Sequence, residues 1–299
     1  MPFGYAGASY YCHGLIKMLA DYVSITNKKF CFNYIDDVIE DLKYENDDKF
    51  GQICRKLGIF LNNGKEFRGK ALVFCGFIID LETKSVRVKI EIAERLERMA
   101  GSILKGDNVS FLDLEIFMGI VEFCQLVCTE GRTNSFYLLA ALGKTAALGR
   151  VKAEDETITV CENMRKELKF WQNIKEHRIL KMRYITESTH WIEAYTDASS
   201  KRWAVQMGEE KSSQNFETEE KNKNIYIKEL KAVLKLFKLY LEEEGRFIKV
   251  NVDNKAVTQS LLKKKGSTME ANEIIAEILK IINDRKLVVE FNWVSTEFN

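Results

Sequence analysis

The feature that most restricts the fold lies in the C-terminal third, where apolar spacing switches between the periods of a strand and of a helix. Residues 191–197 (WIEAYTD) and 203–207 (WAVQM) read as strands, and the polar stretch 212–221 as a weak third strand or a loop. Residues 226–241 place Leu230, Val233, Leu234, Phe237 and Leu241 on one helical face. A strand at 247–253, helices at 256–262 and 269–282, and a last strand at 287–294 follow. A hairpin start followed by helix–strand alternation predicts a mixed sheet with helices packed on it, in the range from α+β to α/β.

Upstream the pattern differs. Residues 10–25 and 46–60 read as helices, and between them a segment at 29–42 carries apolar residues on both sides of Asp36-Asp37, a hairpin signal with the acids at the turn. Residues 62–64 read as a turn, 71–80 as an apolar run of strand length, and 85–89 as its partner. Residues 90–104, 111–128 and 161–176 have helical spacing, the second entered through Ser110 with Asp113 three residues on. One proline in 299 residues leaves Gly, Asn and Asp to punctuate the chain.

Composition excludes several classes. Hydrophobic residues at 46% and charged residues at 30% are ordinary for a globular protein, and rule out a disordered tail or a collagen-like fibre. No apolar run approaches the roughly 18 residues of a membrane span. The seven cysteines are odd in number and none follows Cys161, so a reducing, intracellular compartment is expected, cytoplasmic or nuclear. A net charge of +1 argues neither for nor against a nucleic-acid partner, because an acidic site can offset a basic track.

Three acids stand out. Asp197 ends the first strand of the C-terminal region, Glu229 lies near the start of its main helix, and Asp253 ends a later strand. Neighbouring strands would project both aspartates from one sheet end, with Glu229 facing them. Three such carboxylates are hard ligands suited to Mg²⁺, and two ions about 4 Å apart would serve phosphodiester cleavage. Any one of these acids alone would be an unremarkable solvated charge.

The segments Tyr195-Thr196-Asp197-Ala198-Ser199, Ile227-Lys228-Glu229-Leu230-Lys231-Ala232-Val233 and Val252-Asp253-Asn254-Lys255-Ala256-Val257 resemble the three signatures of the ribonuclease H domain of retroelement polyproteins, most closely the DIRS-type and related retrotransposons. Tyr34-Ile35-Asp36-Asp37 resembles the "YxDD" box of reverse transcriptases. Met1 to Ala8 is similar to the upstream "LPFG-x-x-x-A" box, Leu57 to Lys65 to the "LG…N-x-x-K" motif, and Phe74 to Asp80 to the primer-grip hairpin "FLGF-x-ID". Gly119-Ile120 through Gly131-Arg132-Thr133 is similar to the helix pair that follows in DIRS-type elements.

The resemblance implies a partial palm at 1–92, a helical thumb or connection at 93–185, and an RNase H-like domain at 186–299. It implies templated DNA synthesis and cleavage of RNA in RNA–DNA hybrids in the parent protein, with Mg²⁺, or Mn²⁺, as the cofactor. Catalytic residues would be Asp36, Asp37, Lys65, Asp197, Glu229 and Asp253. The five carboxylates among them would hold metal, with Phe3, Gly4 and Tyr34 at the nucleotide. Partners would be primer–template or hybrid nucleic acid and the remainder of a longer polyprotein, with no membrane. The family's polymerases use a further Asp upstream of the "PFG" box, and its nucleases a fourth acid after a "WV…N" stretch such as Trp293 to Asn299. The expectation is therefore a polyprotein piece or decayed copy with no templated synthesis and weak or no hydrolysis. The alternative is a catalytically dead remnant that at most binds nucleic acid or a partner.

Other candidates have simpler readings. Cys124 and Cys128 read as core cysteines rather than zinc ligands. His13, His177 and His190 have no nucleophile partner at a suggestive spacing. Lys263-Lys264-Lys265 reads as a solvated helix end, with contact to nucleic-acid phosphates as the alternative.

Overall fold

Apolar periodicity turns into elements much as the spacing dictates, in a computed structural model that describes residues 7–43, 47–147, 156–177, 179–182, 189–240 and 244–295. The chain is a mixed α and β protein that divides into two compact units, Met1–Lys89 and Ile90–Asn299. Among the described residues, no helix is long and apolar enough to cross a membrane.

In the first unit, helix α1 (Ala8–Asn27) buries Leu19, Ala20 and Val23 against the antiparallel hairpin β1 (Cys31–Tyr34) and β2 (Asp37–Glu40) and against α2 (Lys49–Lys56). The Asp48 side chain caps α2 by accepting the Gly51 N–H. Lys29 lies buried at the base of the hairpin, 3.2 Å from Glu40 and 2.8 Å from Asp47. Glu40 also accepts the N–H groups of Lys49 and Phe50, so one carboxylate ties the hairpin to the start of α2.

The apolar run at 71–80 is not one strand. It folds back at Cys75-Gly76, both with positive φ, into β3 (Ala71–Phe74) and β4 (Phe77–Asp80), and β4 then pairs with β5 (Ser85–Val88). Periodicity cannot mark such a break, because both arms are apolar; the glycine, which takes the left-handed conformation without a steric penalty, was the available signal.

The second unit begins with helices. α3 (Ile90–Lys105), a short ladder of β6 (Asn108–Ser110) with β7 (Thr157–Thr159), α4 (Phe111–Cys124), α5 (Phe136–Ala146), α6 (Glu162–Gln172) and the single turn α7 (Ile174–His177) pack around Leu96, Leu114, Phe117, Leu138, Leu168 and Trp171. Ser110 accepts the Asp113 N–H at 3.1 Å, the cap that the sequence spacing predicts. α4 stops at Cys124, four residues short of the expected 128, where the Gln125 side chain turns to Gly131 O and Ser135 Oγ. The helix expected at 161–176 is broken at Asn173. The short segment β8 (Ile179–Lys181) follows in the chain.

The remaining elements are β9 (Trp191–Ala198), β10 (Arg202–Met207), β11 (Glu210–Asn215), α8 (Thr218–Lys221), α9 (Ile225–Tyr240), β12 (Phe247–Val252), α10 (Lys255–Lys263), α11 (Met269–Asp284) and β13 (Val288–Trp293). The weak polar stretch is thus a strand followed by one helical turn. The sheet order is β11-β10-β9-β12-β13, antiparallel through β9 and parallel from β9 to β13. Ala194, Val205, Ile248 and Val250 on its inner face meet Leu230, Val233 and Phe237 of α9. α9 is covered again by α11, which explains why it is apolar over more than one face. Leu241 lies outside the described residues.

Candidate active site

The parallel pairing of β9 with β12 decides where two of the acids go. Val252 sits opposite Thr196 in that register, so the next residue on each strand, Asp253 and Asp197, emerges at the same sheet end. Glu229 reaches them from the second turn of α9, and one carboxylate oxygen from each of Asp197, Glu229 and Asp253 lies within 4.8 Å of the others. Residues far apart in sequence thus form one acidic cluster.

The surroundings hold the cluster in place. Glu229 is only 3% exposed, and its Oε1 accepts the Ala198 N–H at 3.3 Å. The Trp293 indole donates to the Asp253 backbone carbonyl at 2.9 Å, and the Lys255 ammonium stands 4.4 Å from the centre of that indole ring. Asn254 caps α10 directly after Asp253, accepting the Ala256 and Val257 N–H groups. Sequence reading missed Lys228. Buried beside Glu229 in the chain, it donates to Ser200 O at 2.6 Å and Lys221 O at 2.8 Å and so fixes the β9–β10 turn next to Asp197. An isolated lysine in a helical repeat carries no sequence signal of burial.

Burial pushes the Glu229 carboxyl up to about 8, with the charges of Asp253 and then Asp197 adding to it. Asp197 is raised too, by burial and by Asp253. Among the described residues, Glu229 Oε2 is buried with no hydrogen-bond partner. An orphaned carboxylate oxygen beside two more carboxylates is costly unless a cation satisfies it, and an all-oxygen donor set is that of a hard divalent ion. The residues present therefore fit Mg²⁺. An open groove of about 350 Å³ lies on the sheet beside Asp197, lined by Tyr195, Gln206, Lys211 and Ser213.

The Asp-Asp pair occupies a separate site in the first unit. Tyr34 pairs with Asp37 across a two-residue turn of Ile35 and Asp36, and Tyr34, Asp36 and Asp37 are all exposed. His13 Nδ1 accepts the Ile35 N–H at 3.1 Å, so α1 grips the turn. The second hairpin is near, with Phe32 and Phe74 rings 6.1 Å apart and the Asp37 charge reaching Cys75. Lys65 is exposed in a short 3₁₀ turn at Asn63–Lys65 and makes no ion pair with either aspartate among the described residues. Phe3 and Gly4 lie outside the described residues.

Ile35 has a φ of 55°, a conformation that strains a β-branched residue. Ile35→Gly is expected to stabilise the hairpin by about 1 kcal/mol, after the added flexibility of glycine is set against the relieved strain. Slower amide hydrogen exchange across Cys31–Glu40 would show it, and faster exchange would contradict it.

No protein-family model matches the chain, and no curated protein matches it. Among solved structures, the foamy viral protease-reverse transcriptase in complex with an RNA/DNA hybrid aligns with a TM-score of 0.47 and 13% identity, over 98% of this chain and 39% of that one. The same viral protein in complex with dsDNA aligns with a TM-score of 0.47 and 16% identity, over 99% of this chain and 60% of that one. RNase H1 from the halophilic archaeon Halobacterium salinarum NRC-1 aligns with a TM-score of 0.30 and 11% identity, over 36% of this chain and 89% of that one. The chain spans between 39% and 60% of the length of those two viral chains.

Proposed function

We propose that the chain is part of a retroelement reverse transcriptase whose C-terminal region, 186–299, is an RNase H-like nuclease domain, joined by a helical connection at 93–185 to palm elements at 1–92. The observation that carries this reading is the convergence of Asp197, Glu229 and Asp253 at one sheet end. Asp197, Glu229 and Asp253 would hold Mg²⁺, which when bound activates water and offsets charge on a phosphodiester. Glu229, anchored by the Ala198 N–H, sets the depth of the site. The exposed Asp197 borders the groove in which a strand would lie. Lys228 ties down the adjoining turn through Ser200 O. In the palm elements, Asp36 and Asp37 would hold metal in the same way, with Tyr34 and Lys65 toward a nucleotide.

The test is cleavage of a labelled RNA–DNA hybrid in Mg²⁺ or Mn²⁺. Weak, metal-dependent cleavage of the RNA strand at most is expected, and Asp197→Asn should reduce what is present by at least about 100-fold, since removing even a supporting group at a metal site typically costs about 10–100-fold. A metal-binding titration gives a second readout: wild type should bind and Asp197→Asn should bind weakly. Metal binding that Asp197→Asn leaves intact would overturn the site. Hybrid binding with no cleavage at any metal concentration would favour the remnant reading.

A further inference from the structure

A second charged cavity lies within the Ile90–Asn299 unit, away from the acids. It has a volume of about 440 Å³ and is lined by Arg132, Lys263 and Lys265 together with Glu122, Gln125 and Leu139. Lys264 stands beside it, lowered by burial and by the Arg132 charge. Among the described residues no carboxylate lies at ion-pair distance from Arg132, Lys263, Lys264 or Lys265; Glu122 is the one acid in the lining, and the Lys265 charge also reaches the buried Glu167. Three of these cations sit in a row at the end of α10, while the fourth comes from 131 residues earlier in the chain.

Like charges repel, so something must hold these loops together. Asn272, only 6% exposed, does so from the first turn of α11. Its Oδ1 accepts the Gly266 N–H at 3.2 Å and its Nδ2 donates to Thr133 O at 2.9 Å. Gly266 is packed so tightly there that a Cβ would come within 2.3 Å of the Asn272 nitrogen. Arg132 donates to the Lys263 carbonyl at 3.2 Å, and Trp171 holds the Asn134 carbonyl at 2.7 Å. The two cationic loops are thus fixed side by side by buried hydrogen bonds, before any anion arrives. Preorganised cations that outnumber the carboxylates around a cavity make an anion site, since the repulsion that remains between them is relieved when negative charge enters.

Position selects the anion. α10 begins at Lys255, two residues after Asp253, and ends at Lys263, and its nine residues span about 13 Å. That is roughly four nucleotide steps at 3.4 Å each. We propose that the cleft lined by Arg132, Lys263 and Lys265, with Lys264 beside it, binds the phosphodiester backbone of a nucleic acid about four steps from the residue held at the acidic cluster. The distance along the strand rests on the nuclease reading; the anion site itself does not.

Fluorescence anisotropy of the full chain with a labelled RNA–DNA hybrid in EDTA separates the two, because no metal-dependent cleavage occurs there. The triple variant Arg132→Gln/Lys264→Gln/Lys265→Gln should bind the hybrid at least about tenfold more weakly at low salt. The slope of log affinity against log salt should fall by roughly two to three, one unit per lost phosphate contact. Asn272→Ala should weaken binding as well, by loosening the loops, although every cationic residue is kept. Melting curves establish that the variants are folded, and Lys265→Gln alone gives a milder surface change with a smaller loss in the same direction. Inorganic phosphate and pyrophosphate form the competing arm and should displace the hybrid only weakly. Unchanged hybrid affinity and slope in the triple variant overturn the proposal. Tight pyrophosphate binding that the triple variant loses, with hybrid binding intact, overturns it in favour of a free-anion site. Hybrid binding that depends on these residues in a protein that never cleaves leaves this site standing and removes the nuclease reading alone.

Discussion

Glu229→Gln is expected to raise the melting temperature of the metal-free protein at pH 8 and to abolish most of its stabilisation by Mg²⁺. In the fold the Glu229 carboxyl is pushed up to about 8 by burial and by Asp253 and Asp197, whereas in the unfolded chain it titrates at the ordinary value near 4.5. Below about pH 4.5 both states hold the proton and the group costs nothing. Between about 4.5 and 8 the unfolded chain releases a proton that the fold retains, so stability falls as pH rises. Above 8 the whole penalty is present, on the order of a few kcal/mol at 1.36 kcal/mol per pH unit. Glutamine has the shape without the charge and removes that slope. At about 2–4 °C per kcal/mol in a domain of roughly 200 residues, the gain is readable by calorimetry. Mg²⁺ acts in the opposite sense: it binds the ionised cluster, so wild type should gain more from Mg²⁺ at pH 8 than at pH 6. A variant that melts below wild type at pH 8 without metal, or that keeps the Mg²⁺ response, would contradict the account of the site.

Trp171→Ala is expected to produce the largest loss of stability of any single change in the helical region. The indole, carried by α6, is fully buried with its ring edge against Gly131, where an added Cβ would lie 2.8 Å away. Truncating such a side chain costs about 3–5 kcal/mol through lost transfer and the cavity left behind. The Asn134 carbonyl would also lose the indole N–H, and an unpaired buried acceptor adds about 1–3 kcal/mol unless water enters. Because Asn134 lies two residues from Arg132, the same change should loosen the basic cleft. Chemical denaturation measures the first effect, and a drop in hybrid affinity under conditions where the variant is still folded measures the second. A loss below about 1 kcal/mol would mean that the helices repack around the gap.

The sequence alone determined the local events. Hydrophobic spacing marked α3, α9 and α11 to within a few residues, because a helix that buries one face must repeat its apolar residues at that period. Alternation and turn residues marked the Asp36–Asp37 hairpin and the strands ending near Asp197 and Asp253, and the order of the three acids on strand, helix and strand was legible in the residue spacing itself. Local pattern ran out where both sides of a break were apolar, as at Cys75-Gly76, and where a helix ended by a side chain turning back, as at Gln125. Only the tertiary structure decided that β9 and β12 are parallel neighbours, since spacing along a chain carries no record of which strand lies beside which. That single adjacency brings Asp197 and Asp253 together and buries Glu229 between them with one oxygen unpaired. The same holds for the basic cleft: three adjacent lysines were a helix end in the sequence, and two of them, Lys263 and Lys265, line a charged cavity only because Asn272 clasps Thr133 and Arg132 comes up against them.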